Sequence, residues 1–324
     1  MAASLFSPLP LKRGPALKHR LLLAPLTNWQ SHPDGTASEH EERWLSRCAA
    51  GGFSMVMTCA AHVQGSGKPF PGQMGIFSDK HIPGLRKLAD SIRARGAVSS
   101  VQLHHGGVRA SPELGGISEG PSEDVRTGAR GLTVAEVERL RDDFITAALR
   151  AQEAGFDGVE VYGAFGWACR SDFQIGLRIS MERHGVSVED ARWVAARVLK
   201  EEVVDYLDLA VWDYRKTVTE GEFKGRTLLS VFTDLPRGSV RLGASGHVMS
   251  VKQAAEMLDA GCDFVMLGKA AVLDPSFPEN TSRDRKYSTP VLPVTADWLR
   301  RSGLSEPFIN YMRTWSGFVD SETP

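Results

Sequence analysis

The chain has no CxxC pair, no run of basic residues and no apolar stretch near the ~20 residues that a membrane span requires. Its four cysteines, Cys48, Cys59, Cys169 and Cys262, are too few and too scattered for a disulfide framework, a zinc site or an iron–sulfur site. Such cysteine usage suits a reducing cytosol, and the N-terminal MAASLFSPLPLKRG lacks the apolar core of a signal peptide, so a cytoplasmic location is expected. Lys+Arg number 38 against 39 Asp+Glu, a formal net charge of −1. The electrostatic footprint of a nucleic-acid binder is therefore missing. No internal repeat or low-complexity linker divides the 324 residues. The expected organisation is one domain over 1–324, with a C-terminal extension from about residue 285. A small-molecule substrate is the expected partner, with no nucleic acid and no membrane, and a homo-oligomer is left open.

What the chain does have is a recurring pair: a short apolar run, then a longer segment with helical spacing. Strands are expected at Leu21–Pro25, Phe53–Cys59, Val98–Leu103, Gly158–Tyr162, Gln174–Ser180, Asp205–Val211, Ser239–Gly243 and Asp263–Gly268. Helices are expected at Ala37–Ala50, Ile82–Arg95, Thr133–Ala154, Val188–Glu202 and Val251–Ala260. Thr133 with Glu136 three residues on reads as a capping box. The crossover from Trp212 to Arg237 is poor in helix signals apart from Leu228–Phe232. Ala296–Phe318 looks amphipathic, with packing on the exterior as its default role and a lid or subunit contact as alternatives. Eight strands alternating with helices point to a parallel (β/α)8 TIM-type barrel.

Functional groups of such a barrel gather at the carboxyl ends of its strands. Strand one ends in Ala24, Pro25, Leu26 and Thr27, strand two in Ala60 and strand three in Gln102. Strand five carries Arg178, strand seven runs into Ser245 and Gly246, and strand eight into Gly268 and Lys269. These residue types suit a flavin mononucleotide. Gln102 can donate to and accept from the pyrimidine edge of the ring. Arg178 supplies a permanent cation for the anionic reduced form. Ala60 leaves room for the ring against backbone, and Gly246 with Gly268-Lys269 offers free amides and a cation for the phosphate. Each has a blander alternative: Gln102 as a loop cap, Arg178 in a structural ion pair, Gly268-Lys269 as a turn. Their joint placement at strand ends favours the cofactor.

The segments LLLAPLTNW, MVMTCAAHVQGSG, VQLHHGG, AQEAGFDGVEVYGAFGW, GLRIS, DYLDLA and GASGHVMSVKQAAEMLDAGCDFVMLGKAAVLDP resemble the Old Yellow Enzyme family in order and spacing, over the chain up to about Pro275. The resemblance implies FMN at the barrel mouth, reduction by NAD(P)H, and hydride delivery to an electron-poor acceptor such as an activated alkene, a quinone or a nitro compound. It implies that Ala24, Pro25, Leu26, Thr27, Ala60, Gln102, Arg178, Ser245, Gly246, Gly268 and Lys269 hold the cofactor. Thr27 would act near the C4=O and N5 edge. Lys269 stands where the family has Arg, which keeps the charge and loses the bidentate fork.

At strand four the pattern departs. Where the family carries His-x-x-His or His-x-x-Asn followed by Gly-Tyr, this chain reads Tyr162-Gly163-Ala164-Phe165-Gly166-Trp167. Tyr162 is the remaining hydroxyl donor and the candidate catalytic residue, with Trp29, Tyr162 and Phe165 forming an aromatic substrate pocket. The interval between Tyr162 and Arg178 is also short, so the fourth crossover helix is expected to be missing or replaced. These departures leave a catalytically impaired flavin- or ligand-binding barrel as an alternative, and a tRNA dihydrouridine synthase-like enzyme as a more remote one.

Overall fold

Each of the eight apolar runs becomes a strand of one closed parallel barrel. In the computed structural model, which describes residues 4–162, 172–181 and 186–320, the strands are β1 (Leu21–Leu23), β2 (Met55–Met57), β3 (Val98–His104) and β4 (Gly158–Tyr162). They continue with β5 (Gln174–Ser180), β6 (Tyr206–Ala210), β7 (Arg241–Ser245) and β8 (Phe264–Leu267). Every neighbour pairs in parallel, and β1 against β8 closes the ring. The helices expected from apolar spacing are α1 (Glu39–Ala50), α2 (Ile82–Arg93), α3 (Val134–Glu153) and α4 (Val188–Glu201). After them come α5 (Ser230–Thr233) and α6 (Val251–Asp259). The capping box at α3 forms as the sequence predicts: Thr133 accepts from the Glu136 amide, and Glu136 Oε2 accepts from the Thr133 amide at 2.8 Å.

Side chains alternate along a strand, so every second residue points into the barrel. The lowest inward layer is apolar. Leu22, Met55, Tyr206, Phe264 and Met266 form a cluster of their own, separate from the outer core, and Leu9 and Leu17 of a bridged N-terminal turn join it. Two large rings fill that layer edge-to-face, Tyr206 and Phe264 at 5.6 Å. Glycine faces each of them for a steric reason. A Cβ at Gly176 would sit 2.1 Å from the Tyr206 ring, and one at Gly243 would sit 2.1 Å from Phe264. Above the rings the inward layer turns polar, with Gln102 beside Glu160 and Arg178 beside Asp208 in register. The uppermost inward positions are His104, Tyr162, Ser180 and Ala210. The barrel is thus plugged below and open to chemistry above.

Some details differ from, or lie beyond, the sequence reading, and β1 and β2 are shorter than expected. The seventh strand begins at Arg241 rather than Ser239, because Gly238 turns at φ +52 and Ser239 is held by the Glu202 carboxylate. The amphipathic C-terminal segment is two helices, α9 (Ala296–Arg301) and α10 (Glu306–Arg313), not one. Gly303 at φ +96 and Pro307 in the first turn of α10 break it. Between α6 and α9 lie β8 and two further helices, α7 (Lys269–Leu273) and α8 (Phe277–Arg283). The expectation of a missing or replaced fourth crossover helix falls on residues 163–171, outside those described, as do Phe165, Trp167 and Cys169.

Candidate active site at the barrel mouth

The loop after β1 is fixed from beneath by a buried carboxylate. Glu41 of α1 is fully buried; its Oε1 accepts from Asn28 at 2.8 Å and its Oε2 from Ser31 at 3.0 Å. Burial raises the Glu41 pKa against those hydrogen bonds. At the tip of this loop Trp29 takes φ +55, a region that side chains other than Gly and Asn seldom adopt. Its carbonyl lies where a Cβ on Gly72 would be, 2.3 Å away, so glycine is what admits the turn. Strain of this kind is held by its surroundings and is common beside binding sites.

A cavity of about 270 Å³ opens at the carboxyl ends of the strands. Ala24, Pro25 and Leu26 line it from β1, Tyr162 and Arg178 from β4 and β5, Ser245 and Gly246 from β7, and Gly268 and Lys269 from β8. Nine residues chosen from sequence therefore meet at one cavity. Thr27, Ala60 and Gln102, also expected to hold the cofactor, are not among the residues that line it. The Ala60 carbonyl accepts from Gln73 Nε2 at 3.0 Å. Thr27 faces the hydroxyl of Tyr311, as does the Trp315 indole. The Trp29 ring stands 5.1 Å from that of Tyr311, which places the predicted substrate-pocket tryptophan beside the C-terminal helix.

Behind the cavity sits a charged cluster in which the structural ion pair weighed for Arg178 forms, with carboxylates that the sequence reading did not single out. Arg178 is paired with the buried Asp208 carboxylate and donates from its other amino group to Ser245 Oγ at 3.1 Å. Gln102 Nε2 donates to Glu160 Oε1 at 2.8 Å, which leaves the amide oxygen of Gln102 as an acceptor without a described donor. Two buried carboxylates thus lie around one guanidinium. Burial, then the neighbouring Asp208, pushes Glu160 up to about 8; burial also raises Asp208, opposed by Arg178. Burial of two carboxylates around one guanidinium therefore favours retention of a proton within the cluster. The signal was present in the sequence as carboxylates at inward positions of apolar strands, in GVEVY and DYLDLA.

Other polar groups flank this cluster. Tyr162 shares a hydrogen bond of 3.3 Å with Ser180 Oγ. His104 lies 5.7 Å from the Tyr162 ring, and burial lowers its pKa to about 3, so it is a neutral imidazole. His105 points away, toward Glu119 at 3.6 Å.

At the far end, Lys269 Nζ lies 5.4 Å from the Trp212 ring and 5.3 Å from the Trp315 ring, with no carboxylate or carbonyl partner among the described residues. The backbone amides of Gly246, Gly268 and Lys269 likewise donate to no acceptor among the described residues. Unpaired donors and an unpaired cation around one cavity are the complement of an anionic group. Together with the Arg178 guanidinium, this donor set suits an anionic cofactor such as FMN. The C-terminal segment also does more than pack on the exterior. Phe308, Ile309 and Met312 are buried, whereas Trp315 lines the cavity.

Residues 4–171 match the model of a family described as NADH:flavin oxidoreductase / NADH oxidase. The chain is 31% identical to "Probable NADH-dependent flavin oxidoreductase YqiG" of Bacillus subtilis (strain 168), over 87% of this chain and 88% of that protein. It is 26% identical to an NADH:acrylate oxidoreductase of Vibrio harveyi over 87% of this chain, which spans only 33% of that longer protein. An Old Yellow Enzyme homologue from Zymomonas mobilis shares the fold at a TM-score of 0.73 and 19% identity, over 91% of this chain and 96% of that one.

Proposed function

The chain belongs to the NADH:flavin oxidoreductase / NADH oxidase family, and from that premise we propose that it passes hydride from NAD(P)H through FMN to an electron-poor small molecule. The observation that carries the reading is the one cavity around which Arg178, Lys269, free backbone amides and the Tyr162 hydroxyl converge. FMN bound there supplies the two-electron relay between nicotinamide and acceptor. Arg178 stabilises negative charge on the pyrimidine side, and Ser245 and Asp208 hold its guanidinium in place. Gln102 presents its oxygen because Glu160 holds its nitrogen. Lys269 and the amides of Gly246 and Gly268 take the phosphate.

Acceptor activation falls to Tyr162. Its hydroxyl, oriented by Ser180, is the donor that strand four still offers to an oxygen that becomes negative as hydride arrives. Residues 1–324 act as one FMN-binding domain in the cytoplasm, with the part from about 285 forming an extension over the mouth. Among the described residues no helix is long and apolar enough to cross a membrane. Acceptors of the activated-alkene class are favoured by the likeness to the Vibrio harveyi enzyme, whose name specifies acrylate.

The test mixes prereduced Tyr162→Phe and wild-type protein with an α,β-unsaturated carbonyl compound and, separately, with a quinone. Loss of one oxyanion donor typically costs ~10²–10³ in rate. Alkene-driven reoxidation of the variant should fall by about 100-fold, while the quinone rate changes little. Equal alkene rates in the two proteins would remove Tyr162 from the mechanism.

A further inference from the structure

The three groups at the phosphate end come from distant parts of the chain. Trp212 follows β6, Lys269 follows β8, and Trp315 follows α10. Their centres form a near-equilateral triangle: the indoles stack 5.7 Å apart with planes 10° from parallel, and Lys269 Nζ stands 5.4 Å and 5.3 Å from them. A lysine lining an open cavity ordinarily points into water and samples many rotamers. Here two indoles flank the ammonium at the rim, where no described carboxylate competes for it. Trp315 is itself braced, edge-on to Tyr311 at 6.1 Å, and Tyr311 lies against Trp29 at 5.1 Å. Ser305 Oγ adds a 2.6 Å hydrogen bond from the start of α10 to Gln30 Oε1.

We propose that Trp212 and Trp315 are positioning residues that clamp Lys269 for a phosphate monoester, making the C-terminal segment part of the cofactor site. The proposal rests on the FMN reading above and deepens it. Desolvation lowers the proton affinity of Lys269, and the phosphate restores the counter-charge that burial withholds. The clamp acts at the phosphate end, so it sets preference for FMN over riboflavin rather than affinity for the ring.

The experiment titrates apoprotein with FMN and with riboflavin by flavin fluorescence, in wild type, Trp212→Leu/Trp315→Leu and Trp212→Phe/Trp315→Phe. Leucine keeps apolar packing and removes the π faces; phenylalanine keeps them. Two cation–π contacts of ordinary size predict that the Leu pair raises the FMN Kd by at least about tenfold. Riboflavin affinity should change by less than about twofold, and the Phe pair should recover most of the loss. Inorganic phosphate alone should quench indole emission in wild-type apoprotein and not in Lys269→Met. Equal losses for FMN and riboflavin would reduce the indoles to packing and overturn the clamp, as would an unchanged FMN Kd or indole emission indifferent to phosphate. Failure of wild type to take FMN would instead overturn the function proposed above, and the phosphate titration would still decide the clamp.

Discussion

Arg178→Leu should lose about 3–5 kcal/mol of folding stability at pH 8 and fail to retain FMN. The first figure follows from what the substitution leaves behind. Asp208 is fully buried and takes its charge compensation from Arg178, and Glu160 shares the same layer. Removing one partner of a buried pair strands the other in a medium that cannot solvate it, which typically costs about that much. Denaturant unfolding of apoprotein isolates this loss from cofactor effects. Arg178→Lys retains the cation without the fork, so it should recover part of the stability and less of the cofactor affinity. A stability change under about 1 kcal/mol for Arg178→Leu would show that the two carboxylates do not depend on the guanidinium.

The second large effect concerns pH. Glu160 has a folded-state pKa raised to about 8, above the ordinary carboxylate value of 4.5, with burial as the leading cause. Between those values the native state holds a proton that the unfolded chain has released, so the native state binds more protons. The Glu160 contribution to stability therefore falls as pH rises from about 4.5 to about 8, at up to about 1.4 kcal/mol for each pH unit, and then levels off. Glu160→Gln keeps the acceptor for Gln102 and removes the titration. Relative to wild type, the variant should gain stability progressively across that window, with little difference below pH 4.5. Parallel stability–pH curves for the two proteins would place the titrating proton elsewhere.

Much of this architecture was legible because a barrel strand imposes period two. Once the apolar runs are taken as strands, Arg178, Gln102 and Tyr162 fall on inward positions near their upper ends, and nine of the proposed cofactor and substrate residues do share one cavity. Lys269 was identified for its charge, and among the described residues no carboxylate or carbonyl pairs with it. The polar layer beneath was less visible. Glu160 and Asp208 each look like a stray charge in an apolar strand, and only the register that puts Gln102 opposite Glu160 and Arg178 opposite Asp208 makes them a cluster. Nothing in a linear reading pairs Trp212 with Trp315, because contacts between distant loops leave no local period. Helix amphipathicity in the C-terminal segment reported its buried face well, through Phe308 and Met312. It left a lid as an alternative without saying that Trp315 would be the residue to line the cavity.

Lys in place of the family's Arg at position 269 fits the same picture. An ammonium lacks the planar fork that fixes a guanidinium against phosphate oxygens. The two indoles supply by confinement the orientation that the fork would otherwise provide.

The most direct test of the central claim is the visible absorption spectrum of the purified protein, followed anaerobically after addition of NADPH and then NADH. Bound FMN should give oxidised flavin bands that bleach within the turnover time of one of the two nucleotides. A colourless protein that takes up no added FMN, or flavin bands that neither nucleotide bleaches, would contradict the assignment of this barrel as an NAD(P)H-driven flavin oxidoreductase.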